Sequence, residues 1–359
     1  MLGQLKMVNR RKVYLTYDDV LLLPNYSGVT PSKTDTGTEL TKKIHLEIPV
    51  TASPMDTICE KEMAYELGKL GGYGIIHRNM TISKQVQQLK WVLDKGVKAS
   101  AAVGVGADFK DRVKVLVKIG AKEICIDSAH GYTQQVISAV QLIKVQYPAV
   151  EIICGNTATF EGTKALFAAG ADTVKVGMGP GSICSTRIMS GMGVPQLSAI
   201  QDCVLAKKLF KNKFIIADGG IRVSGDMVKA LAAGADAVML GSLLAGADEA
   251  PGKKVRLENK WYKVYRGMGS VAAMKHGSAE RYGQVKTAKK LVPEGVEGLM
   301  EYSGKLAELV YQLIGGLRAG MAYLGAKNLK ELKQKAKFIR ITPAGMAESR
   351  PHSVLLLDR

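Results

Sequence analysis

The residues with the clearest chemistry in this chain are a cysteine and the glycines that precede it. The stretch 175–186 reads Lys-Val-Gly-Met-Gly-Pro-Gly-Ser-Ile-Cys-Ser-Thr, so Cys184 follows a short apolar run and a glycine-rich loop. Such a loop can fold closely over a ligand, expose backbone N–H groups to an anion and present a thiol from one edge. We therefore interpret this loop as an active site with Cys184 as its nucleophile.

The other four cysteines lack this context. Cys59, Cys125, Cys154 and Cys203 form no C-x-x-C pair and no metal-ligand spacing with one another or with Cys184. Cys125 and Cys154 lie inside apolar runs, where a thiol behaves as a small buried side chain. An odd and scattered set of cysteines is typical of proteins of the reducing cytosol, so we expect a cytoplasmic protein.

Eight short apolar runs organise the chain around this loop, and helix-period segments separate them. The later runs recur at intervals that are typical of βαβ units in a parallel sheet. Eight such units close most simply into a (β/α)8 (TIM) barrel of the α/β class. An open doubly wound sheet is the alternative, and the absence of an early Gly-x-Gly-x-x-Gly turn disfavours it. The predicted strands end at Ser53, His77, Val103, Asp127, Gly155, Gly177, Asp218 and Gly241, and the helix-period segments include 61–70, 83–93, 111–119, 134–145 and 160–168.

Polar residues follow the last two predicted strands at the end where barrel enzymes carry their chemistry. Asp218-Gly219-Gly220 ends strand seven and Gly241-Ser242 ends strand eight. Barrels often bind a phosphate at these two loops through backbone N–H groups. A carboxylate repels a phosphate, so we assign Asp218 to hydroxyl groups, most simply those of a ribose.

Asp127 and Asn156 end strands four and five on the same rim. Either residue could simply cap a helix or form a turn. Their position beside the cysteine loop favours a second ligand that bears hydroxyl groups, and the pattern alone leaves both interpretations open. Ser53 and Asp56, after the first strand, also belong to this polar rim.

The chain after the eighth strand departs from the barrel pattern. Residues 247–301 include a short predicted strand at 261–265, a glycine-rich turn and the polar stretch 275–290. A long insertion on the catalytic face predicts a lid over the site. We expect a helix over 305–321 to complete the barrel and the tail 341–359 to reach a neighbouring subunit.

The composition bounds the class of protein. Hydrophobic residues make up 47% of 359 residues, which is enough for a large core. No run of eighteen apolar residues and no secretory pattern is present, so we expect neither a membrane span nor export. The net charge is +18, but the lysines are spread along helical stretches without a basic motif. We interpret them as a solvated surface that attracts anionic small molecules rather than nucleic acid.

Eight motifs occur together over nearly the whole chain. They are Leu-Thr-Tyr-Asp-Asp-Val at 15–20, Ser-Pro-Met-Asp-Thr at 53–57, Ile-Asp-Ser-Ala-His-Gly at 126–131, Gly-Asn at 155–156, Gly-Met-Gly-Pro-Gly-Ser-Ile-Cys at 177–184, Ala-Asp-Gly-Gly-Ile at 217–221, Arg-Gly-Met-Gly-Ser at 266–270 and Glu-Ser-Arg-Pro-His at 348–352. In these motifs the chain resembles the inosine monophosphate (IMP) dehydrogenase and guanosine monophosphate (GMP) reductase family. The phrase that ends in Cys184 is highly specific for that family.

Within the family, the lid favours the dehydrogenase activity. Arg281 and Tyr282 match a pair that dehydrogenases carry in this flap and that reductases lack, and a second dehydrogenase-like phrase contains Glu294. The resemblance implies that Cys184 attacks C2 of the purine of IMP and that hydride passes to NAD+. Arg281 would then act as base on the water that releases xanthosine monophosphate (XMP). Tyr282 and Thr186 would position that water, with Glu294 as an alternative proton acceptor.

The same resemblance implies three ligand sites. The nucleotide site would comprise Ser53, Ser182, Asp218, Gly220, Gly241, Ser242, Tyr265, Gly267 and Met268. Asp127, Asn156 and Gly177 would face NAD. A potassium ion would bind the backbone carbonyls of Gly179, Gly181 and Cys184, completed by Glu348, Ser349 and Arg350 of a neighbour in a homotetramer.

The chain departs from the family pattern in three places. Arg350 stands where many relatives have His, and Gly283 stands where an aromatic residue is common in the flap. Many relatives insert a pair of regulatory CBS modules after the second strand, whereas residues 93–98 run straight into the third strand here. We therefore expect a single catalytic domain, 1–359, with its lid at 250–300 and no control by such modules. It is either a naturally short member or one whose insert was removed.

Two other functions stay open. A GMP reductase would convert GMP to IMP with NADPH and release ammonia, so it would consume a reduced cofactor instead of producing one. A non-catalytic nucleotide- or nucleic-acid-binding protein would use the positive charge, and its binding would fall steeply with salt.

Overall fold

Eight parallel strands form a closed barrel in the computed structural model, which describes residues 13–284 and 290–354. Three short strands precede the barrel: β1 (Val20–Leu22), β2 (Thr38–Glu39) and β3 (His45–Leu46). The barrel strands are β4 (Val50–Ala52), β5 (Tyr73–Ile76), β6 (Ala99–Val103), β7 (Glu123–Asp127), β8 (Glu151–Thr157), β9 (Thr173–Val176), β10 (Phe214–Asp218) and β11 (Ala237–Leu240). Parallel pairing of β11 with β4 closes the barrel. The predicted (β/α)8 fold is confirmed, and the open sheet is excluded.

Helices follow the strands. They are α1 (Lys61–Lys69), α2 (Ile82–Leu93), α3 (Phe109–Lys118), α4 (Gln134–Gln146), α5 (Phe160–Ala169), α6 (Thr186–Ser190), α7 (Gln196–Lys207), α8 (Ser224–Ala232) and α9 (Ser242–Ala245). All but the short α6 and α9 pack on the outside of the barrel. Local sequence sets their ends: the Thr81 hydroxyl accepts a hydrogen bond from the Lys84 N–H at the start of α2. Gly170 ends α5 with a φ of 116°, a conformation that favours glycine.

Apolar side chains fill both the barrel and the space between the barrel and the helices. The barrel interior contains Tyr73, Ile75, Ala102, Cys125, Ile153, Ile216, Ala237 and Met239. Leu40, Ile44 and Leu46, from the hairpin of β2 and β3, belong to the same cluster. The hairpin contacts the first residue of β9, where the Thr173 hydroxyl donates to the carbonyl of Leu40. It therefore closes the N-terminal end of the barrel, opposite the end that carries the polar rim.

The insertion after β11 is built around a small antiparallel sheet. Its strands are β12 (Lys254–Leu257), β13 (Lys260–Arg266) and β14 (Glu297–Glu301), and the short helix α10 (Val271–Ala273) follows β13. Lys263 fastens this sheet to the barrel, because its ammonium group donates to the carbonyls of Ala247 at 2.8 Å and Asp248 at 3.2 Å. Two further turns cover 274–282, and residues 285–289 of the predicted lid lie outside the described residues.

The chain ends with α11 (Leu306–Tyr323), α12 (Leu329–Lys335), β15 (Phe338–Arg340) and α13 (Pro343–Glu348). The predicted helix at 305–321 corresponds to α11. β15 pairs with β1, so the segment before the tail is fixed to the start of the barrel domain. Within the described residues, none of the helices combines the length and the apolar character that a membrane crossing requires.

Two carboxylates lie side by side at the closed end of the barrel. Glu123 and Glu151 are the first residues of β7 and β8, are paired in register and are both buried. Glu151 accepts hydrogen bonds from the hydroxyl of Thr41 and the N–H of Lys43, whereas Glu123 accepts one from the Tyr73 hydroxyl at 3.1 Å. Burial, together with the charge of Glu151, raises the pKa of Glu123 to about 7 despite that hydrogen bond and the lysines at 98 and 122.

This raised pKa predicts that Glu123→Gln stabilises the fold at alkaline pH. An acid with a folded-state pKa above its unfolded value favours folding while protonated, and that advantage is lost as the pH rises through about 7. Glutamine avoids the loss, so we expect the variant to gain about 2 kcal/mol more at pH 8 than at pH 5, measured by denaturant unfolding. The exposed control Glu301→Gln should show no such difference, and an equal effect of Glu123→Gln at both pH values would contradict this account.

Candidate active site

The glycine-rich loop joins β9 to α6 and presents Cys184 at the C-terminal end of the barrel. Gly179 has a φ of 77°, and a Cβ there would lie 2.5 Å from Cγ of Arg187. Only glycine allows this close passage. The guanidinium of Arg187 donates to the carbonyls of Met178 at 3.1 Å and Val194 at 2.6 Å, and so braces the loop from behind.

Cys184 is the one partly accessible cysteine of the five. Its thiol lies 3.2 Å from the Thr186 hydroxyl and can donate a hydrogen bond to it. The other four are buried, and burial raises the pKa of Cys59, Cys154 and Cys203. Their thiols are therefore poor sources of thiolate, whereas Cys184 opens into a cleft.

The insertion holds the cysteine loop through backbone hydrogen bonds. Cys184 forms an antiparallel bridge with Gly295, in which the Ser185 N–H donates to the carbonyl of Glu294 at 3.0 Å. The Glu294 N–H in turn donates to the carbonyl of Gly269 at 3.0 Å. The segment around Glu294 therefore lies between the cysteine loop and the turn after β13, which brings the Glu294 side chain to the same cleft.

A buried lysine connects the polar ends of three strands. Lys175, on β9, forms an ion pair with Asp127, and its ammonium nitrogen lies 4.0 Å from a carboxylate oxygen of Asp218. Asp218 also accepts a hydrogen bond from the Asn156 amide at 2.7 Å. Lys175 is fully buried, so two carboxylates share a positive charge from inside the barrel.

The Asn156 side chain leaves an acceptor free for a ligand. Its amide nitrogen donates to the carbonyl of Gly177 and to Asp218, while its oxygen is buried and has no hydrogen-bond partner among the described residues. A buried acceptor without a partner costs free energy unless a ligand supplies the donor. The pairing of β8 with β9 shifts in register between Gly155 and Thr157, at the position of Asn156.

A second groove continues from the cleft towards strands β10 and β11. The two share Ser53, Asp218 and Tyr265, and the further groove is lined by Ser182, Gly220, Gly241 and Ser242. The backbone N–H groups of Gly220 and Ser242 donate to no acceptor among the described residues. Such free N–H groups fit an anion.

Tyr265 lines both the groove and the cleft, whereas Gly267 and Met268 line the cleft. Tyr265 is 4% exposed, and burial raises its pKa to about 12 despite a hydrogen bond with Ser182. Its phenol is therefore neutral at physiological pH. Gly241 has no side chain that would crowd the phenol, since a Cβ there would lie 3.1 Å from the oxygen.

The lid places Arg281 against the rim of the barrel. Its guanidinium contacts the carboxylate of Asp127, and Tyr282 and Glu294 line the same cleft as Cys184. Burial lowers the pKa of Arg281, and the positive charge of Arg78 acts in the same direction. Burial also raises the pKa of the Tyr282 phenol.

The backbone carbonyl oxygens that are expected to bind potassium have lone pairs free of other hydrogen bonds. The Gly181 carbonyl accepts the Cys184 N–H at 3.1 Å, which leaves one of its lone pairs free, and no described group donates to the carbonyls of Gly179 and Cys184. These hard oxygen donors suit an alkali cation.

Glu348, Ser349 and Arg350 line neither the cleft nor the groove in the single chain. They are exposed at the end of α13, which packs near the turn Tyr17–Asp19. Their recorded hydrogen bonds stay within that helix end, where the Ser349 hydroxyl donates to the carbonyl of Gly345 at 2.9 Å.

The chain is similar to known proteins over almost its whole length. A family profile described as "IMP dehydrogenase / GMP reductase domain" matches residues 14–352. Proteins named inosine-5'-monophosphate dehydrogenase from Aquifex aeolicus, Borreliella burgdorferi and Cryptosporidium parvum are 41%, 42% and 44% identical to the chain. The alignments cover 95%, 96% and 95% of this chain and 95%, 98% and 95% of those proteins. The chain belongs to the IMP dehydrogenase / GMP reductase family.

These relatives differ in the number of their residues that align with no residue of this chain. The alignment with the Aquifex protein spans 469 positions, although this chain has 359 residues, so many positions of that relative face gaps. The alignment with the Cryptosporidium protein spans only 384 positions. In the structure, residues 94–98 alone connect α2 to β6.

Most of the site residues predicted from the sequence lie around the cleft and the groove. Asp56 and Lys175 are the two findings that differ from expectation. Asp56 does not line the cleft: its carboxylate accepts hydrogen bonds from Arg266 at 2.7 Å and Asn79 at 2.6 Å and so anchors the insertion. Lys175 was missed. The sequence does contain a clue to Lys175, because it lies inside the apolar strand that leads into the cysteine loop. A lysine that is buried in such a strand requires carboxylates beside it.

The network around Lys175 predicts a large loss of stability in Lys175→Met. Methionine preserves the apolar stem but leaves the buried Asp127 and the half-buried Asp218 without their shared cation. We expect a loss of about 3 kcal/mol in the free energy of unfolding at neutral pH. The double variant Lys175→Met/Asp127→Asn should recover much of it, and the exposed control Lys164→Met should change little. Additive effects of the two substitutions in chemical unfolding would contradict the shared-charge account.

Proposed function

We propose that the protein oxidises IMP to XMP with NAD+, as an IMP dehydrogenase of guanine nucleotide biosynthesis. One observation carries the proposal: the Cys184 thiol, the Arg281–Tyr282 pair of the lid and the Asp127 carboxylate meet at a single cleft. A nucleophile that can add to a ring and later leave, beside a base on a separate segment, suits oxidation followed by hydrolysis.

The second groove is our candidate for the nucleotide end of IMP. Free backbone N–H groups at Gly220 and Ser242 suit the phosphate, with Ser53 and Ser182 beside them. Asp218 accepts hydrogen bonds from the ribose hydroxyl groups. In this position the purine extends along Tyr265, Gly267, Met268 and towards Cys184.

NAD+ then occupies the cleft beside Asp127, Asn156 and Gly177. The unpartnered oxygen of Asn156 fits a hydroxyl or amide donor of the cofactor. When bound, NAD+ supplies the acceptor for the hydride that leaves C2.

In the first step Cys184 forms a bond from its sulfur to C2 of the purine. The hydrogen on C2 leaves with its electron pair, and a covalent thioimidate between Cys184 and the nucleotide remains. The proton of the thiol is released to solvent, and the Thr186 hydroxyl at 3.2 Å accepts the hydrogen bond that the thiol donates before the step. The soft sulfur both adds to the ring and remains a good leaving group for the next step.

In the second step the oxygen of a water molecule bonds to C2, one proton of that water goes to Arg281, which must already have given up its own proton to act as base, and the C2–S bond breaks. Cys184 takes up a proton and XMP is released. Arginine is a weak candidate for a base in water, but burial lowers the pKa of Arg281 in the direction that this role requires. Tyr282 and Thr186 orient the water, and Glu294 with Thr186 offers an alternative path for the proton.

The lid and the cofactor use the same carboxylate, which separates the two steps in time. Arg281 contacts Asp127 in the closed arrangement, so NAD+ cannot use that carboxylate until the lid leaves. The base therefore arrives after the hydride has been transferred and NADH has left.

We also propose the setting in which the enzyme works. The carbonyls of Gly179, Gly181 and Cys184 hold a potassium ion, and Glu348, Ser349 and Arg350 complete the site from a neighbour in a cytoplasmic homotetramer. The chain acts as one catalytic barrel domain with a lid at 250–300, and it is a short member of the family without regulatory modules at 93–98.

This function predicts formation of NADH from IMP. We expect the near-ultraviolet absorbance of NADH to rise when the purified protein receives IMP and NAD+ in potassium buffer, and to rise more slowly in sodium buffer. Cys184→Ala should lower kcat by more than about 1,000-fold because it removes the nucleophile.

The matched control is Cys203→Ala, a buried cysteine outside the cleft, which should retain kcat within about twofold. Consumption of NADPH with GMP, in the absence of activity towards IMP, would show that the protein is a reductase and would refute the proposal.

A further inference from the structure

The lid contacts the barrel rim through two consecutive residues of opposite charge. Arg281 pairs with Asp127 after β7, and the carboxylate of Glu280 lies 3.6 Å from the guanidinium of Arg78 after β5. On the rim, the negative Asp127 therefore contacts a positive residue of the lid, and the positive Arg78 contacts a negative one.

Arg78 is a buried cation whose partner belongs to the lid. Its side chain is 9% exposed, and burial lowers its pKa. Asp108 is close enough to act on Arg78, but it is bound by Arg112, whose Nε lies 2.9 Å from its carboxylate. Within the described residues, Glu280 is the carboxylate at ion-pairing distance from Arg78. When the lid moves away, Arg78 loses that partner.

Two glycines after β6 make room for the pair. A Cβ at Gly104 would lie 2.5 Å from a guanidinium nitrogen of Arg78, and a Cβ at Gly106 would lie 1.2 Å from a carboxylate oxygen of Glu280. The carboxylate of Glu280 therefore sits in a recess that a larger residue at 106 would fill. Another anion can occupy the same recess once Glu280 has left.

The recess is within reach of a dinucleotide held at Asp127. Glu280 and Arg281 are adjacent, with their Cα atoms about 3.8 Å apart. The guanidinium groups of Arg78 and Arg281 also lie close enough for their charges to interact, so the two contact points on the rim are near each other. In a ribose, C4′ and C5′ alone separate the carbon that bears the 3′-hydroxyl from the 5′-phosphate oxygen. A ribose whose hydroxyl reaches Asp127 can therefore place its pyrophosphate at Arg78.

We propose that Arg78 binds the pyrophosphate of NAD+ when the lid is displaced, and that Glu280 takes the place of this anion when the lid closes. The inference rests on the proposed function, which places the same dinucleotide at Asp127. A guanidinium suits this exchange because its planar set of donors binds carboxylate and phosphate oxygens equally well. Arg78 then has an anionic partner both when the lid is closed and when the lid is open with NAD+ bound.

The test compares ADP with adenosine, which differ in the pyrophosphate. Titration calorimetry in the presence of IMP gives both dissociation constants for the wild type, Arg78→Gln and Glu280→Gln. In Arg78→Gln we expect the ratio of the ADP constant to the adenosine constant to rise about tenfold, and KM for NAD+ to rise about tenfold with KM for IMP unchanged. In the matched control Glu280→Gln the lid competes less with both ligands, so the ratio should stay constant while KM for NAD+ falls.

An unchanged ratio in Arg78→Gln would overturn the inference, since Arg78 would then act only as a latch for Glu280. If Arg78→Gln does not fold, Arg78→Lys decides: the loss of the planar donors should raise the ratio about threefold, and no rise would overturn the inference. Failure of the proposed function is a separate result, because it appears as a wild type that forms no NADH from IMP, whatever the calorimetric ratio.

Discussion

The site depends on how one buried carboxylate is paired. Asp127 stands at the end of β7 with only 3% of its side chain exposed, and it contacts Lys175 from inside the barrel and Arg281 from the lid. A buried carboxylate is costly without cations or donors around it. Lys175 provides a partner from the barrel, and Arg281 provides one from the insertion. In the proposed mechanism the second partner is exchanged, so that the barrel accepts either the lid or NAD+ at the same carboxylate.

The cysteine loop and the insertion are positioned by the same backbone. The bridge between Cys184 and Gly295 and the hydrogen bond from Glu294 to Gly269 join the loop, the segment around Glu294 and the turn after β13 into one unit. Lys263 anchors that unit on the barrel from behind. The lining of the cleft and Cys184 therefore keep a fixed geometry, while residues 279–282 of the insertion carry Arg281, which contacts Asp127.

The architecture and most of the site could be predicted from sequence because strand ends are marked by local chemistry. Short β-branched runs that end in Asp127, Asn156 or Asp218 define both the barrel and its polar rim, since parallel strands place their carboxyl ends together. Asp56 shows the limit of this reasoning. A polar residue after a strand can serve the scaffold, and its pairing with Arg266, more than two hundred residues away in the chain, is invisible in the local pattern.

The features that sequence reasoning missed are those created by long-range packing. The β2–β3 hairpin closes the barrel through three apolar residues in a segment without barrel periodicity. The partners of Lys175 and Arg78 come from other strands and from the lid, so neither spacing nor residue type reveals them. Glu348, Ser349 and Arg350 are a different case, because the contacts proposed for them belong to a second subunit.

The most direct test of the central claim is mass spectrometry of the protein quenched during turnover of IMP with NAD+. The account predicts a covalent purine nucleotide on the peptide that contains Cys184, and a greater amount of this adduct in Arg281→Ala, in which hydrolysis is slowed. Steady formation of NADH with no adduct on that peptide in either protein would contradict it.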